Sequence, residues 1–380
     1  MDEQRIPRYL YLIEELLRCS PGREEAVLSA RPDLLDADLL KMMKQRAVVE
    51  KDRETVNRLN VLAELLEEKL NPPSRGDREG FMNKDKLNFL LKVLQATRDS
   101  QGNPQVVYPI LQSNLAKLDD NLAAWLPTWA TARLYEFGFA GTLLTFSNLL
   151  AQFPFGNQAS NMEIAIAGYE TILKVLSRQS NPEIWAKIQN NWGNAYSDRI
   201  KGDQVENLEL AIAAYQKALS VYTPEAFPTE WANTQNNLGN AYSYRVKGDQ
   251  AENLEMAIAA YQQSLSICTK AAFPTEWADT QNNLGMIYCK RIKGDKAENL
   301  EMAIAAYQKA LSVYTPEAFP TEWANTQDNL GNAYSNRIKG DKAENLEMAI
   351  AAYQKALSVY TPEAFPTEFA DTQINLGNAY

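Results

Sequence analysis

A 46-residue period constrains this chain more than any other feature. The block WANTQNNLGNAYSYRVKGDQAENLEMAIAAYQQSLSICTKAAFPTE runs from Trp231 to Glu276, and the same register begins at Trp185, Trp277, Trp323 and Phe369. A degenerate copy fits the frame from Phe139, where Ala165 and Tyr169 lie one period before Ala211 and Tyr215. Self-similarity at such a spacing specifies a stack of supersecondary units, each burying its apolar face against its neighbours. The 380-residue length is therefore a poor guide to domain number.

Each block reads as helix, turn, helix. Trp231, Leu238, Tyr242 and Val246 recur at i, i+7, i+11 and i+15, the predicted apolar face of a first helix. Leu254, Ala257, Ile258, Tyr261, Leu265 and Cys268 give a fuller stripe for a second. Pro228 suits the first turn of a helix, where a missing N–H costs nothing. Gly248 supplies a left-handed residue to close the first helix, and Asp249 with Glu252 has capping-box spacing for the second. The small residues Gly239 and Ala257 mark where the two helices should cross most closely.

Gln235-x2-Leu238-Gly239-x2-Tyr242 followed by Ala257-x3-Tyr261 resembles the tetratricopeptide repeat signature. Two departures stand out. Gln235 occupies the signature tryptophan position, with the aromatic one turn earlier at Trp231, and the period is 46 instead of 34. The resemblance covers residues 139–380 and implies an all-α, right-handed helical-repeat solenoid, with repeats at 139–184, 185–230, 231–276, 277–322, 323–368 and a truncated 369–380.

Upstream, residues 1–70 read as a helical amino-terminal segment, with stripes Leu10, Ile13, Leu17 and Leu59, Leu62, Leu66, Leu70 separated by a break at Ser20-Pro21-Gly22. The stretch NPPSRGDREG, 71–80, reads as a linker. Residues 81–138 read as a helical adapter packing on the first repeat: Leu87, Leu90, Leu91 and Leu94 line one helix, and Asn103 caps another that begins at Pro104. Val107, Leu111, Leu115 and Leu118 form that helix's stripe, and a last helix carrying Trp125, Trp129 and Tyr135 should break near Pro127. The stretches YLYLIEELLRCSPGREEAVL, LLKVLQATRDSQGNPQVVYPILQSNLAKLDDNLAAW and FSNLLAQFPFGNQASNMEIAIAGYE resemble the amino-terminal arm of cyanobacterial CHAT proteins. In that family a caspase-like protease domain usually follows the repeats, so the resemblance implies a regulatory arm whose catalytic domain is outside this sequence.

Composition excludes much chemistry. The chain has no histidine, which rules out within it a Cys–His or Ser–His pair and histidine-based zinc sites. It also lacks a GxxxxGK[ST] phosphate loop, and its paired carboxylates such as Glu252 and Glu255 recur in every block, as a solvated face or cap would. The expectation is a non-enzymatic chain with no cofactor and no metal. A net charge of −10 disfavours nucleic acid and anionic membranes. The most apolar stretch, 139–151, carries too many polar residues to span a bilayer. A start of Met1-Asp2-Glu3-Gln4 does not resemble a signal peptide, and Cys19, Cys268 and Cys289 follow no metal or disulfide spacing, so a cytoplasmic setting is expected.

What recurs outside the core is asparagine. One first-helix position is Asn191, Asn237, Asn283, Asn329 and Asn375; another is Asn194, Asn240, Asn332 and Asn378, with Met286 the exception; Tyr244 extends the stripe. Each amide offers two donors and an acceptor. Such a ladder either hydrogen-bonds the neighbouring block or grips the backbone of an extended peptide, and the tetratricopeptide resemblance implies peptide binding in a concave groove lined by first helices. A second column, Arg199, Arg245, Arg291 and Arg337, reads as ion pairing with the acidic start of the following helix. The expected partner is a protein or extended peptide. The chain stops at Tyr380 inside a first helix, which reads as a truncated frame and predicts self-association through an uncapped carboxyl end, or, as a further alternative, a self-assembling scaffold.

Overall fold

The computed structural model describes residues 5–19, 24–50, 84–134 and 136–380, together with 55, 56, 58, 59, 62, 63, 66 and 70. Every regular element among these is helical. The chain divides into two compact units, Met1–Val175 and Leu176–Tyr380.

The first unit holds α1 (Ile6–Arg18), α2 (Glu24–Ser29), α3 (Ala37–Val49), α4 (Lys84–Asp99), α5 (Pro104–Gln112), α6 (Asp120–Thr131), α7 (Phe139–Ala151) and α8 (Gln158–Leu173). Its amino-terminal helices share a core built on Tyr9, Leu12, Ile13, Leu16, Leu39, Met43, Leu59, Leu62 and Leu66. The buried face of α1 is thus Tyr9, Leu12, Ile13 and Leu16 with Leu17 packed beside it, so of the expected stripe Ile13 and Leu17 face the core while Leu10 is 43% exposed. Tyr9 wins because its ring fills the core while its hydroxyl donates to Asp36 Oδ2 at 2.6 Å. Asn103 caps α5 as expected, its Oδ1 accepting from the Gln105 N–H at 3.0 Å. Helix α6, however, runs unbroken through Pro127. Leu122, Leu126, Trp129 and Ala130 are buried on one side of it, and that burial outweighs the lost backbone bond. Trp129 stacks on Trp125 at 5.5 Å and meets Phe139 of the first repeat edge-on at 5.8 Å, the packing role expected of these aromatics. The segments 20–23 and 71–80 and Tyr135, expected as a break, a linker and a core aromatic, lie outside the described residues.

The second unit is a helical-repeat solenoid of α9 (Pro182–Ser197), α10 (Gln204–Leu219), α11 (Pro228–Tyr244), α12 (Gln250–Ile267), α13 (Pro274–Lys290), α14 (Lys296–Ala310), α15 (Pro320–Ser335), α16 (Lys342–Leu357) and α17 (Pro366–Ala379). Each first helix opens on proline and each second helix on a capping aspartate; Asp249 Oδ1, for example, accepts from the Glu252 N–H at 2.9 Å. The left-handed Gly248, φ +87°, sits in the turn four residues beyond the end of α11 instead of on the helix end itself. Val246 falls in the same turn and is 72% exposed, off the apolar face its spacing suggested, because the helix stops at Tyr244 and the 3.6-residue phase stops with it.

The paired helices cross at Gly239, as expected. A Cβ built there would lie 2.7 Å from Cε1 and 2.8 Å from Cδ1 of Tyr261. The same tyrosine-on-glycine contact recurs at Gly193, Gly285 and Gly331, whereas a Cβ on Gly377 of α17 would meet nothing within 4 Å. Between blocks, Trp277 and Trp323 flank a small cluster of Ala278, Ala310 and Tyr314. The tryptophans are only half-buried, so they seal the junctions between units and do not fill the centre of one.

Candidate functional site

The asparagine columns lie side by side on the first helices, and their amides reach from block to block. Asn237 Nδ2 donates to Asn194 Oδ1 at 3.0 Å and to Asn190 Oδ1 at 3.4 Å. One block on, Asn283 Nδ2 donates to Asn240 Oδ1 at 3.1 Å, and Asn329 Nδ2 to Asn282 Oδ1 at 3.4 Å. A threonine sits at each step: Thr234, Thr280 and Thr326 donate chiefly to the carbonyls of Glu230, Glu276 and Glu322 at 2.7 Å, with Asn190, Asn236 and Asn282 Oδ1 sharing the same proton at 3.1, 3.3 and 3.3 Å. The column of Asn240 also closes its own block, since Tyr215, Tyr261 and Tyr353 donate to Asn194, Asn240 and Asn332 at 2.8, 2.6 and 2.9 Å. Tyr169 makes the equivalent bond to Asn148 at 2.8 Å, so the degenerate copy keeps the device although most of its sequence has drifted.

These rungs are half used. Among the described residues, neither the Asn237 Oδ1 nor the Asn240 Nδ2 has a hydrogen-bond partner, and both side chains are half-buried. The stack therefore fixes each amide in orientation while leaving an acceptor and a donor facing solvent. Asn191, Asn329, Asn332 and Asn375 are likewise half-buried, and Asn378 is exposed on α17. Tyr244 stands apart, 62% exposed, with Lys290 Nζ 5.9 Å from its ring centroid.

Two positions break the pattern. Met286 offers no acceptor, and the hydroxyl of Tyr307 finds only Cys289 Sγ at 4.0 Å. Asp328 stands where the preceding blocks carry Asn190, Asn236 and Asn282. Its Oδ2 accepts from Asn332 Nδ2 at 3.1 Å, its Oδ1 is fully buried, and Thr372 and Asn375 of the next block also act on the carboxylate. Burial pushes the Asp328 carboxyl pKa above the usual range, with Thr372, Asn375 and Asn332 opposing.

The arginine column makes its ion pairs across blocks, and reaches its own following helix only through bonds from Nη1 of Arg245, Arg291 and Arg337 to the neutral amides of Asn253, Asn299 and Asn345 at 3.4, 3.3 and 3.3 Å. Arg245, Arg291 and Arg337 each grip a glutamate of the preceding second helix through two nitrogens: Glu209 at 2.6 and 2.8 Å, Glu255 at 2.7 and 2.8 Å, Glu301 at 2.8 and 2.9 Å. The guanidinium holds each carboxyl below its ordinary pKa. Glu255 is thus engaged, and Glu252 pairs with Lys293 of the next block, so these carboxylates join units and are not an idle solvated face. A further column escaped sequence reasoning. Asn207, Asn253, Asn299 and Asn345 are buried, and their amides donate to the carbonyls of Lys201, Lys247, Lys293 and Lys339 at 2.8 to 3.0 Å, locking the turn between helices. The signal was available as one asparagine per block inside the apolar stripe of the second helix.

Among the described residues, no group of three or more His, Cys, Asp or Glu side chains converges as metal ligands, and no helix is long and apolar enough to cross a membrane.

The tetratricopeptide repeat family model matches residues 277–317 and 323–363, so these two blocks are similar to tetratricopeptide repeats, a class that generally mediates protein–protein interaction. No curated protein sequence matches the chain. Among solved structures 21 chains match. One belongs to the crystal structure of the APC/C hetero-tetramer Cut9-Hcn1, 14% identical with a TM-score of 0.45, and this chain in full spans 64% of that one.

Proposed function

We propose that the first-helix face of residues 185–380 binds an extended polypeptide segment of a protein partner, without catalysing a reaction. The observation that carries this reading is the half-used ladder: amides held in orientation at one-block spacing, with the Asn237 Oδ1 acceptor and the Asn240 Nδ2 donor left open to solvent. Such groups match the alternating N–H and C=O of an extended backbone, and pre-organisation lowers the entropy lost on binding. Asn191, Asn194, Asn237, Asn240, Tyr244, Asn283, Asn329, Asn332, Asn375 and Asn378 are the contact residues of this reading. With about 0.5–1.5 kcal/mol net per amide contact, three or four rungs set against the association cost give micromolar affinity.

The test is to select peptides from a random twelve-residue displayed library on the intact chain, then titrate the best one against Asn237→Ala/Asn283→Ala/Asn329→Ala. Because those amides also hold the stack, circular dichroism must first establish a temperature at which the triple variant is folded. A folded variant binding at least tenfold more weakly supports the proposal; equal binding removes it.

The likeness of the pre-repeat stretches to CHAT proteins adds a second reading, in which this face is the recognition arm of a caspase-like protease in a cytoplasmic setting. A catalytic Cys–His domain encoded downstream in the same gene would favour it.

A further inference from the structure

The blocks beginning at Trp277 and Trp323 differ at six of their 46 positions: Asp279/Asn325, Asn282/Asp328, Met286/Asn332, Ile287/Ala333, Cys289/Ser335 and Lys290/Asn336. All six lie in the first helix or at its end. At 100° per residue, positions 279, 282, 286, 289 and 290 fall within an arc of about 100°, a single stripe, and only Ile287 points into the core.

Exposure alone does not explain this clustering. Lys296, Glu298, Lys309 and Ser312 are as open to solvent, yet recur unchanged as Lys342, Glu344, Lys355 and Ser358. Neutral drift would have marked both faces. Two of the substitutions also cost the stack something. Met286 deprives the Tyr307 hydroxyl of the oxygen that Tyr261 and Tyr353 use, and Asp328 buries a carboxylate where a neutral amide serves elsewhere. Side chains that weaken their own scaffold on one face only are accounted for by what that face contacts.

We infer that this stripe selects the partner by its side chains, the shared asparagines gripping backbone, and that the bound segment sets a lysine or arginine against Asp328. This rests on the peptide-binding reading above. Charge supports the assignment: Asp328 is the one carboxylate in its column, beside Asn190, Asn236, Asn282 and Ile374, and Asp279 and Asp371 flank it one block away on either side. A lysine or arginine reaching the half-buried Asp328 would pair with a carboxylate to which Thr372, Asn375 and Asn332 offer only neutral donors.

The experiment uses the intact chain and the same twelve-residue library. Peptides selected on the wild type should be enriched in lysine or arginine at one position, and the best of them should bind Asp328→Asn about tenfold more weakly. That variant carries the residue found at Asn282 and is expected to fold. A second variant exchanges the six residues between 279–290 and 325–336, so that each block receives a set already present in its neighbour; its selected peptides should shift the basic position by one block. Selection of the same sequences by all three proteins, or enrichment of acidic residues, overturns the inference and leaves the peptide-binding reading standing. If the wild type selects nothing above background, the peptide-binding reading itself falls, and this inference with it.

Discussion

Gly239 and Gly377 occupy the same place in the repeat, within LGNAY, yet alanine should have opposite effects at the two. At Gly239 the new methyl would lie 2.7, 2.8 and 3.1 Å from three atoms of the Tyr261 ring. That ring cannot swing away, since it is fully buried and its hydroxyl is tied to Asn240 at 2.6 Å. Overpacking of this kind costs about 1–3 kcal/mol, against about 1 kcal/mol gained by replacing glycine in a helix. We expect Gly239→Ala to be destabilising on balance, by up to about 2 kcal/mol. At Gly377 nothing lies within 4 Å, so only the propensity gain remains, up to about 1 kcal/mol and reduced by fraying at the helix end. A stack of similar units does not unfold all-or-none, so the readout is native-state hydrogen exchange. Amides of α11 and α12 should exchange faster in the first variant, and those of α17 no faster in the second. Effects of equal sign and size would refute the close-crossing argument.

Four other outcomes follow from the same geometry. Met286→Asn should raise stability by about 0.5–1.5 kcal/mol by giving the Tyr307 hydroxyl an acceptor, read as slower exchange in α14. Asp328→Asn should also stabilise the chain, and the gap should widen with pH. A carboxyl whose pKa is raised by folding favours the folded state at low pH and loses that advantage as pH rises through the raised value, so variant and wild type should melt alike at acid pH and diverge near neutrality. For Glu209, Glu255 and Glu301 the sign is reversed: their lowered pKa values contribute stability above the unfolded carboxylate range, lost as pH falls through the folded values. Arg291→Ala should abolish the Glu255 share, about 1 kcal/mol or less for a partly exposed pair. Trp277→Ala should cost about 2–3 kcal/mol, below the range for a fully buried tryptophan, with faster exchange confined to residues 231–322.

The features readable from the sequence were those set within one block. The proline starts and the aspartate caps depend on neighbours a few residues away, the crossing glycine on a tyrosine 22 residues on in the same block, and each stands where it was expected. The readings that changed depend on partners about one period distant. Arg291 finds Glu255, 36 residues back, in preference to the acidic start of its own following helix. Asn237 was legible as a solvent-side amide, but its bonds to Asn190 and Asn194 require knowing how one block lies on the next. Val246 and Leu10 failed for a simpler reason: a periodicity count does not say where a helix stops, nor which of two adjacent stripes turns inward.

Every junction from Trp185 onward is made with the same vocabulary of contacts, between residues of one block and those of the next. Removing or adding 46 residues anywhere in this stretch joins surfaces that already know each other, so no new interface has to be invented. Copy number is then the easily changed variable of the architecture, and at the level of the gene unequal crossing-over between near-identical blocks supplies the variation. A chain built this way can lengthen or shorten its reach in fixed steps while each unit keeps its own fold.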